Sequence, residues 1–280
     1  AYTHRGGFRL GGEVQFKDFL WEALYDPAPG LDMIATADNL SRRYGLSREA
    51  VDRYACDSHQ RALQAQREGA WAQEIVSVDN QVFELDGYQP RRLTLARRAA
   101  AVTEDSHPRS TDLEALARLR AVHADGVQTA GNSCAVVDGA AAALVGRASD
   151  CTHPALARLV ASAVVGVAPE FMGIGPAPAI RLLLHRSGLN LSDIGRFEIN
   201  EAQSAQVLAV AQELELDSTR LNVQGGSLAL GHPLAASGLR LVMSLARQLR
   251  QHNLRYGIAA ACVGGGQGMA LLIENPDWRA

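Results

Sequence analysis

Three tripeptides in the second half of the chain carry side chains that could do chemistry, and they begin at Asn200, Gly231 and Cys262. Each follows an apolar run typical of a buried strand, and open α/β sheets place their sites at the carboxyl ends of strands. His232 could transfer a proton near neutral pH, Cys262 could act as a base or a nucleophile, and Asn200 could orient a water or an oxyanion. Taken singly, such a histidine is more often a satisfied structural residue and such a cysteine a small buried hydrophobe.

The glycine-rich segment 264–268 follows Cys262 and could suggest a nucleotide-binding loop. A strand pattern rather than a helix pattern comes after it, so the pattern lacks the helix N-terminus that would receive a phosphate. We therefore expect a turn between two buried strands.

The elements that position these residues form a regular series from residue 158 onward. Apolar, β-branched runs predict strands, and amphipathic segments between them predict helices. The predicted strands are 158–165, 196–200, 221–223, 256–263 and 268–274, and the predicted helices are about 176–187, 203–214 and 236–251. This βαβαβαββ order predicts a largely parallel sheet whose last two strands are antiparallel.

The first 124 residues follow another pattern. Helical spacing from Met33 to Tyr44, with Gly45 as a C-cap, predicts one helix, and Ser47 predicts the start of a second that ends at Gly69. Residues 74–98 are strand-like, and a capping box that starts at Thr111 predicts a short helix through Leu119. No long buried strand is predicted here, so this part is typical of a helical lid or insertion. Residues 127–146 read as a strand, a loop and an Ala-rich run that belong to a sheet whose other strands are missing.

The composition narrows the class of protein. The chain has 280 residues, 47% of them hydrophobic and 20% charged, which predicts a folded protein of about two domains. Its 27 Lys+Arg and 30 Asp+Glu give a formal charge of −3, so we expect no nucleic-acid partner. We also expect no membrane span, because glycines interrupt the longest uncharged stretch, and no secretory signal in residues 1–12.

The four cysteines, at positions 56, 134, 151 and 262, have no paired short spacing. The sequence therefore predicts neither a disulfide framework nor a zinc site, and we expect a cytoplasmic location.

Considered together, the motifs resemble the thiolase family across nearly the whole chain. The segment NVQGGSLALGHPLAASG resembles the thiolase histidine block, and CVGGGQG resembles its C-terminal cysteine block. Three further segments match in order. The matching segments are 129–132, 138–141, 172–176, 222–238 and 262–268.

This resemblance implies an α/β thiolase fold with a five-layered αβαβα core made of two similar halves. Residues 1–126 would be the helical loop domain that binds coenzyme A (CoA), 127–150 a remnant of the first half, and 151–280 the second half. The first half would be largely missing, with a segment on the order of 100 residues expected before Ala1.

The resemblance also implies the roles of the site residues. His232 would activate a nucleophilic cysteine that lies in the missing segment, and Asn200 would help hold the thioester oxygen through a water. Cys262 would be the acid and base at the acetyl-CoA enolate, and the N–H of Gly264 would complete a second oxyanion hole. The implied activity is acyl transfer between 3-ketoacyl-CoA and CoA, with the chain alone inactive. The alternative is a noncatalytic thiolase-like subunit that binds acyl-CoA or stabilises an assembly.

Further residues are expected to contact substrate or CoA on the same basis. They are Met33, Arg109, Ala130, Cys134, Met172 and Gln203. Arg109 could pair with the nucleotide end of CoA or be a solvated loop arginine. Gln203 replaces the family's usual phenylalanine, Cys134 its serine, and Asp32 its histidine. Gln203 either meets a polar or bulky acyl group or faces a neighbouring loop.

We expect CoA as a substrate with no resident cofactor or metal. The expected partners are a second copy of the chain, as a homodimer or homotetramer, and a separate N-terminal thiolase segment.

Overall fold

The computed structural model describes residues 2–3, 17–95 and 99–279. The helices are α1 (Phe19–Ala23), α2 (Met33–Tyr44), α3 (Arg48–Arg67), α4 (Leu113–Ala117), α5 (Pro176–Ser187), α6 (Ser204–Leu214), α7 (Ser227–Leu230) and α8 (Ser237–Gln251). Three 3₁₀ helices accompany them, at Ala148–Asp150, Pro169–Ile174 and Leu191–Asp193.

Short antiparallel pairs lie in the first part of the chain, and the long strands lie in the second. The short strands are β1 (Tyr2–Thr3), β2 (Lys17–Asp18), β3 (Tyr25–Asp26), β4 (Leu31–Asp32), β5 (Val78–Asp79), β6 (Gln81–Phe83), β7 (Arg91–Leu93) and β8 (Ala101–Val102). The long strands are β9 (Arg158–Gly166), β10 (Ile194–Ile199), β11 (Tyr256–Val263) and β12 (Gln267–Glu274). The short strands pair as β1–β2, β3–β4, β5–β8 and β6–β7.

The long strands form one sheet in the order β10-β11-β12-β9. β10 and β11 are parallel, whereas β11–β12 and β12–β9 are antiparallel. The predicted strand directions are confirmed, because β9, β10 and β11 run the same way and the last strand, β12, runs opposite to β11. Within this sheet, however, β10–β11 is the one neighbouring pair that is parallel. The reason is that β12 returns through a tight glycine turn and lies between β11 and β9, so both of its neighbours run opposite to it.

The strand predicted at 221–223 does not form. Leu221 makes one isolated parallel bridge to Phe197, and the chain then turns. Asn222 and Gly225 both have positive φ angles, 45° and 77°, and a strand cannot continue through such conformations.

The helix starts and ends follow their local chemistry. The Ser47 hydroxyl accepts from the N–H of Ala50 at 3.2 Å and caps α3, and Gly45 ends α2 with a φ of 64°. Both features were predicted. The cap of α4 was assigned wrongly, because the Asp112 carboxylate and not Thr111 accepts from the N–H of Ala115, at 2.7 Å.

The core lies on both faces of the sheet. Ile258 and Ala260 of β11 pack with α5 and α6 on one face, while Ala259 packs with α8 on the other. α2 and α3 in turn pack against α6. The carboxyl ends of β10 and β11 meet at one edge, because Ile199 pairs with Ala260.

Residues 127–146 form no strand, contrary to the prediction. Ser133 makes a single bridge to Gln203, and beyond it the side chains are largely exposed, with Leu144 fully so. The Ala-rich run packs on no strand within the described part of the chain, which explains its irregular conformation. No helix in the described ranges has the length and apolar character needed to cross a membrane.

Candidate active site

Asn200 and His232 meet at the edge where β10 ends. The backbone N–H of Asn200 donates to the carbonyl of Ala260 at 2.9 Å, which holds it beside β11. Its side-chain Nδ2 lies 3.4 Å from Nε2 of His232, and its Oδ1 accepts from the hydroxyl of Ser227 at 2.7 Å. The Ser227 bond fixes the amide orientation, so the nitrogen faces the imidazole.

The hydrogen bonds around His232 define its tautomer. Nδ1 lies 2.6 Å from Oγ of Ser237, and the Ser237 hydroxyl donates to the carbonyl of Pro233 at 3.0 Å. A hydroxyl has one proton, so Oγ must accept from Nδ1–H, and Nε2 keeps its lone pair. Burial, with a smaller contribution from Arg240, lowers the pKa of His232 to about 4. His232 is therefore a neutral base at physiological pH.

Cys262 lies near the carboxyl end of β11, opposite Gly268 of β12. Its thiol is half-buried, and burial raises its pKa to about 12. The group is a protonated thiol at neutral pH, which suits a proton donor. Ile199 of β10 pairs with Ala260 of the parallel strand β11. Asn200 and Cys262 come shortly after these two residues, so both lie at the carboxyl edge of the sheet.

The turn that carries Gly264 is held from two sides. The N–H of Gly265 donates to Oδ2 of Asp26 at 3.0 Å, and the carbonyl of Gly266 accepts from the N–H of Val167 at 2.7 Å. Met33 borders the turn, because a Cβ built on Gly264 would lie 3.8 Å from its Sδ. Met33 and Gly264, which were predicted separately, are thus neighbours.

Cys134 lies between the segment that follows Asn200 and the segment that carries His232. Its N–H donates to the carbonyl of Ala202 at 3.1 Å, and the next carbonyl, of Ala135, accepts from the N–H of His232 at 2.7 Å. Burial raises the pKa of Cys134 to about 12, and the nearby Cys262 adds to that increase. Cys134 is thus gathered with the three predicted catalytic residues.

The remaining predicted residues lie elsewhere or face other groups. Ala130 is exposed in the turn before Asn132, and Arg109 is exposed in the loop before α4, where its N–H donates to Nδ1 of His59 at 3.3 Å. Met172 is buried in the 3₁₀ helix Pro169–Ile174, which packs against α2, β11 and β12.

Gln203 is buried beneath the loop that contains Gln128. With the Gln128 amide oriented so that its nitrogen donates, Oε1 of Gln203 accepts from it at 3.0 Å. Of the two alternatives for Gln203, this contact favours the neighbouring loop over the acyl group.

Sequence reasoning missed several polar residues that build the site. Ser227, Ser237 and Arg240 fix the Asn200–His232 pair, and Asp26 fixes the glycine turn. Ser227 and Ser237 lie inside the histidine motif, which was the one available signal, but ordinary serines and a lone arginine carry no mark of their function.

Glu201 was also missed, although it lies in the Asn200 tripeptide. Its Oε1 accepts from the hydroxyl of Tyr54 and the amide of Asn222, and its Oε2 accepts from the hydroxyl of Ser58 and the N–H of Leu228. These four bonds join α3 to the sheet half. Across the described residues, no group of three or more His, Cys, Asp or Glu side chains is arranged to hold a metal ion.

Comparison with known proteins finds 3-ketoacyl-CoA thiolases and acetyl-CoA acetyltransferases as relatives. The chain is 40% identical over 276 residues to a bovine protein named 3-ketoacyl-CoA thiolase, mitochondrial, covering 97% of this chain and 66% of that protein. It is 40% identical over 278 residues to the probable acetyl-CoA acetyltransferase of Escherichia coli K12, covering 98% and 67%. The crystal structure of human mitochondrial 3-ketoacyl-CoA thiolase in complex with CoA superposes with a TM-score of 0.83 at 34% identity, covering 98% and 67%. The chain thus spans about two thirds of the length of these relatives.

Two family models divide the chain between them. The model described as Thiolase, N-terminal domain matches residues 1–149, and the model described as Thiolase, C-terminal domain matches residues 153–275. The first match runs through the helical region, so the expectation that the first half is largely missing is not supported. The likeness in structure confirms the α/β thiolase fold. The chain belongs to the thiolase family.

Proposed function

We propose that the chain carries the acid–base centre for acyl transfer between 3-ketoacyl-CoA and CoA. The observation that carries this proposal is the part-buried Asn200–His232 contact, in which Nε2 of His232 is unprotonated and faces the Asn200 amide nitrogen at the sheet edge that holds Cys262. A neutral imidazole base and a protonated thiol are the two groups that cleavage through an acyl-enzyme requires.

In the first step, Nε2 of His232 takes the proton of an acyl-accepting thiol, and the thiolate attacks the 3-keto carbon. Cleavage of the bond between C2 and C3 leaves the acyl group on sulfur and releases the acetyl-CoA enolate. Cys262 protonates this enolate and becomes a thiolate. The protonated His232 and the Asn200 amide, acting through a water, stabilise the negative oxygen of the departing thioester.

In the second step, the Cys262 thiolate takes the proton of an incoming CoA thiol. The CoA sulfur attacks the acyl-enzyme, the N–H of Gly264 donates to the oxygen of that intermediate, and acyl-CoA leaves. The returning enzyme sulfur recovers its proton from His232, which closes the cycle. The same groups run the reverse condensation.

We assign the acyl-accepting thiol to a cysteine outside residues 1–280. Cys56 is buried between Thr111 and Gln60 away from the site, and Cys151 is exposed beyond it. Cys262 has the acid–base role proposed above, and Cys134 stands where the family usually has a serine, so we assign neither as the acylated sulfur. The chain alone would then not turn over 3-ketoacyl-CoA.

An apolar face of the sheet supports a five-layered core with a second sheet-containing half. Val160 and Val164 of β9 and Met269 of β12 are exposed, while the alternate residue Ala163 is buried toward α5. A monomer rarely leaves such a face uncovered. The occupant that we propose for it is a further sheet-containing part of the N-terminal thiolase half, beyond the part that residues 1–149 match.

CoA is proposed as a substrate rather than a resident cofactor, and the human thiolase solved in complex with CoA supports CoA binding. A homodimer or homotetramer, a cytoplasmic location and the absence of a nucleic-acid or membrane partner remain predictions from the sequence. Arg109 remains a candidate for the CoA nucleotide.

The test is thiolysis of acetoacetyl-CoA by residues 1–280, alone and with a cysteine-bearing N-terminal thiolase segment added as a fusion or separate chain. Intact-protein mass identifies the acylated sulfur. We expect turnover only with the added segment. Turnover by the chain alone would contradict the assignment of the thiol, and CoA binding without turnover in both samples would favour the noncatalytic subunit.

A further inference from the structure

A directional chain of hydrogen bonds reaches the active-site pair from α8. Nη1 of Arg240 lies 3.5 Å from Oε2 of the buried Glu198, and Nη2 donates to Oγ of Ser227 at 3.2 Å. Gln248 donates to the other carboxylate oxygen of Glu198, Oε1, at 2.9 Å. Arg240 is thereby held against Ser227.

The order of donors in this chain allows one arrangement. A guanidinium only donates, so Ser227 must accept from Arg240 and use its single proton for Oδ1 of Asn200 at 2.7 Å. An amide whose oxygen is engaged must present its nitrogen to the remaining neighbour, Nε2 of His232. Ser227 and Asn200 are 0% and 1% exposed, so water does not supply alternative partners.

We propose that Ser227 and Arg240 are positioning residues that set the tautomer of His232 through the Asn200 amide, an inference that rests on the function proposed above. If Oδ1 lost its donor, the amide would rotate by half a turn to place its oxygen against Nε2. Two lone pairs would then face each other, and His232 would relieve this by moving its proton from Nδ1 to Nε2. Ser237 would donate to Nδ1 in that state and release Pro233.

That rearrangement removes the base. An imidazole with a proton on Nε2 cannot accept the proton of the acyl-accepting thiol. Ser227 would thus act on chemistry and not on substrate binding, although it does not touch the substrate.

Other charges surround Arg240 and decide which variants are informative. Glu74 and Asp105 also face it, and burial raises the pKa of both carboxyl groups. Removal of Arg240 alone would leave Glu198 as an uncompensated buried acid. The paired variant Arg240→Met with Glu198→Gln avoids that charge, and Ser227→Ala removes only one hydroxyl.

The experiment is NMR of the chain labelled with ¹⁵N-histidine, which reports the tautomer of His232 without turnover. The wild type should show the proton on Nδ1, and Ser227→Ala and the Arg240/Glu198 pair should shift the population toward Nε2–H. Ser244→Ala is the matched control, because this buried hydroxyl donates to Glu74 and has no bond to Asn200. Ser227→Thr, which keeps the hydroxyl, should restore the wild-type tautomer.

In a complete enzyme, Ser227→Ala should lower kcat on the order of tenfold and leave KM unchanged. An unchanged tautomer in Ser227→Ala would overturn the proposal. A shifted tautomer, together with no turnover by the wild type even after the N-terminal segment is added, would instead count against the proposed function alone.

Discussion

The carboxylate of Asp26 accepts a hydrogen bond at 3.0 Å from the backbone N–H of Gly265, 239 positions along the chain. Its other oxygen accepts from the N–H of Ala28, and the side chain is 6% exposed. The β3–β4 hairpin therefore fixes the turn from which Gly264 presents its N–H. A residue of the helical region thus sets the geometry of the turn whose N–H we propose as an oxyanion donor.

Replacing Asp26 by alanine should destabilise the fold and the site together. Two N–H groups would lose their acceptor, and a typical hydrogen bond contributes about 0.5–1.5 kcal/mol net. Urea unfolding should show a lower free energy of unfolding for Asp26→Ala. Asp26→Asn, which keeps one oxygen for Gly265, should lose less, and equal losses in both variants would show that charge rather than the hydrogen bond matters.

Acid should destabilise the protein through two buried histidines. Burial lowers the pKa of His232 and of His59 to about 4, below the usual value of 6.5. Because the pKa of each histidine is lower in the folded chain, the unfolded chain binds more protons. The contribution of each neutral histidine to the free energy of unfolding is therefore fully present above about pH 6.5 and is lost as the pH falls toward 4. The loss at pH 5 should be about 2 kcal/mol for each histidine.

Urea unfolding between pH 7.5 and pH 4.5 checks this expectation. His59→Gln should be less dependent on pH than the wild type over this window. A free energy of unfolding that does not change with pH would contradict the depressed pKa values.

The cysteines should differ in their rates of alkylation. A thiol with a pKa of about 12, as for Cys134 and Cys262, has a thiolate fraction of about 10⁻⁴ at pH 8. Cys151 is exposed and should be modified first by iodoacetamide. Peptide mass mapping against time gives the order, and early modification of Cys262 would show that the thiol is more acidic than its burial implies.

The two catalytic roles should separate in a complete enzyme. Cys262→Ala should still be acylated by an activated thioester but should not break or form the carbon–carbon bond. Asn200→Ala should lose on the order of 10²-fold in kcat, because an oxyanion contact is damaged. Acyl-enzyme mass and thiolysis rates distinguish the two variants, and normal condensation by Cys262→Ala would refute the role of this thiol.

Substitution of Gln203 should act on stability rather than on specificity. Its Oε1 accepts from Gln128, so Gln203→Phe removes one of the hydrogen bonds of that amide, which keeps Asn132 and Ala205 as partners, and should cost about 0.5–1.5 kcal/mol. The ranking of acetoacetyl-CoA, longer linear and branched substrates should stay the same. A changed ranking with unchanged stability would restore the idea that Gln203 meets the acyl group.

The sequence predicts elements better than their arrangement. α2, α3 and α5 lie where periodicity and caps place them, since those signals are local. The position of β12 between β11 and β9 could not be predicted, because an apolar strand pattern does not specify its neighbours.

The same distinction applies to the site. Asn200, His232 and Cys262 could be identified because their side chains are reactive and lie in motifs that resemble the thiolase blocks. The expectation that each follows a strand is wrong for His232, which comes after the short helix α7. Ser227 and Arg240 could not be identified, because an ordinary serine and arginine gain their function only from contacts made in the folded chain.

The four bonds to Glu201 have a consequence for how the molecule opens. Tyr54 and Ser58 come from α3, while Asn222 and Leu228 come from the sheet half, and all four share one buried carboxylate. Separating α3 from the sheet half would deprive the buried Glu201 carboxylate of its hydrogen bonds from Tyr54 and Ser58. Partial opening at this junction is therefore costly. The amide protons of α3 and of β10 should therefore exchange with solvent through a common opening event, and a single cooperative unit would contain both.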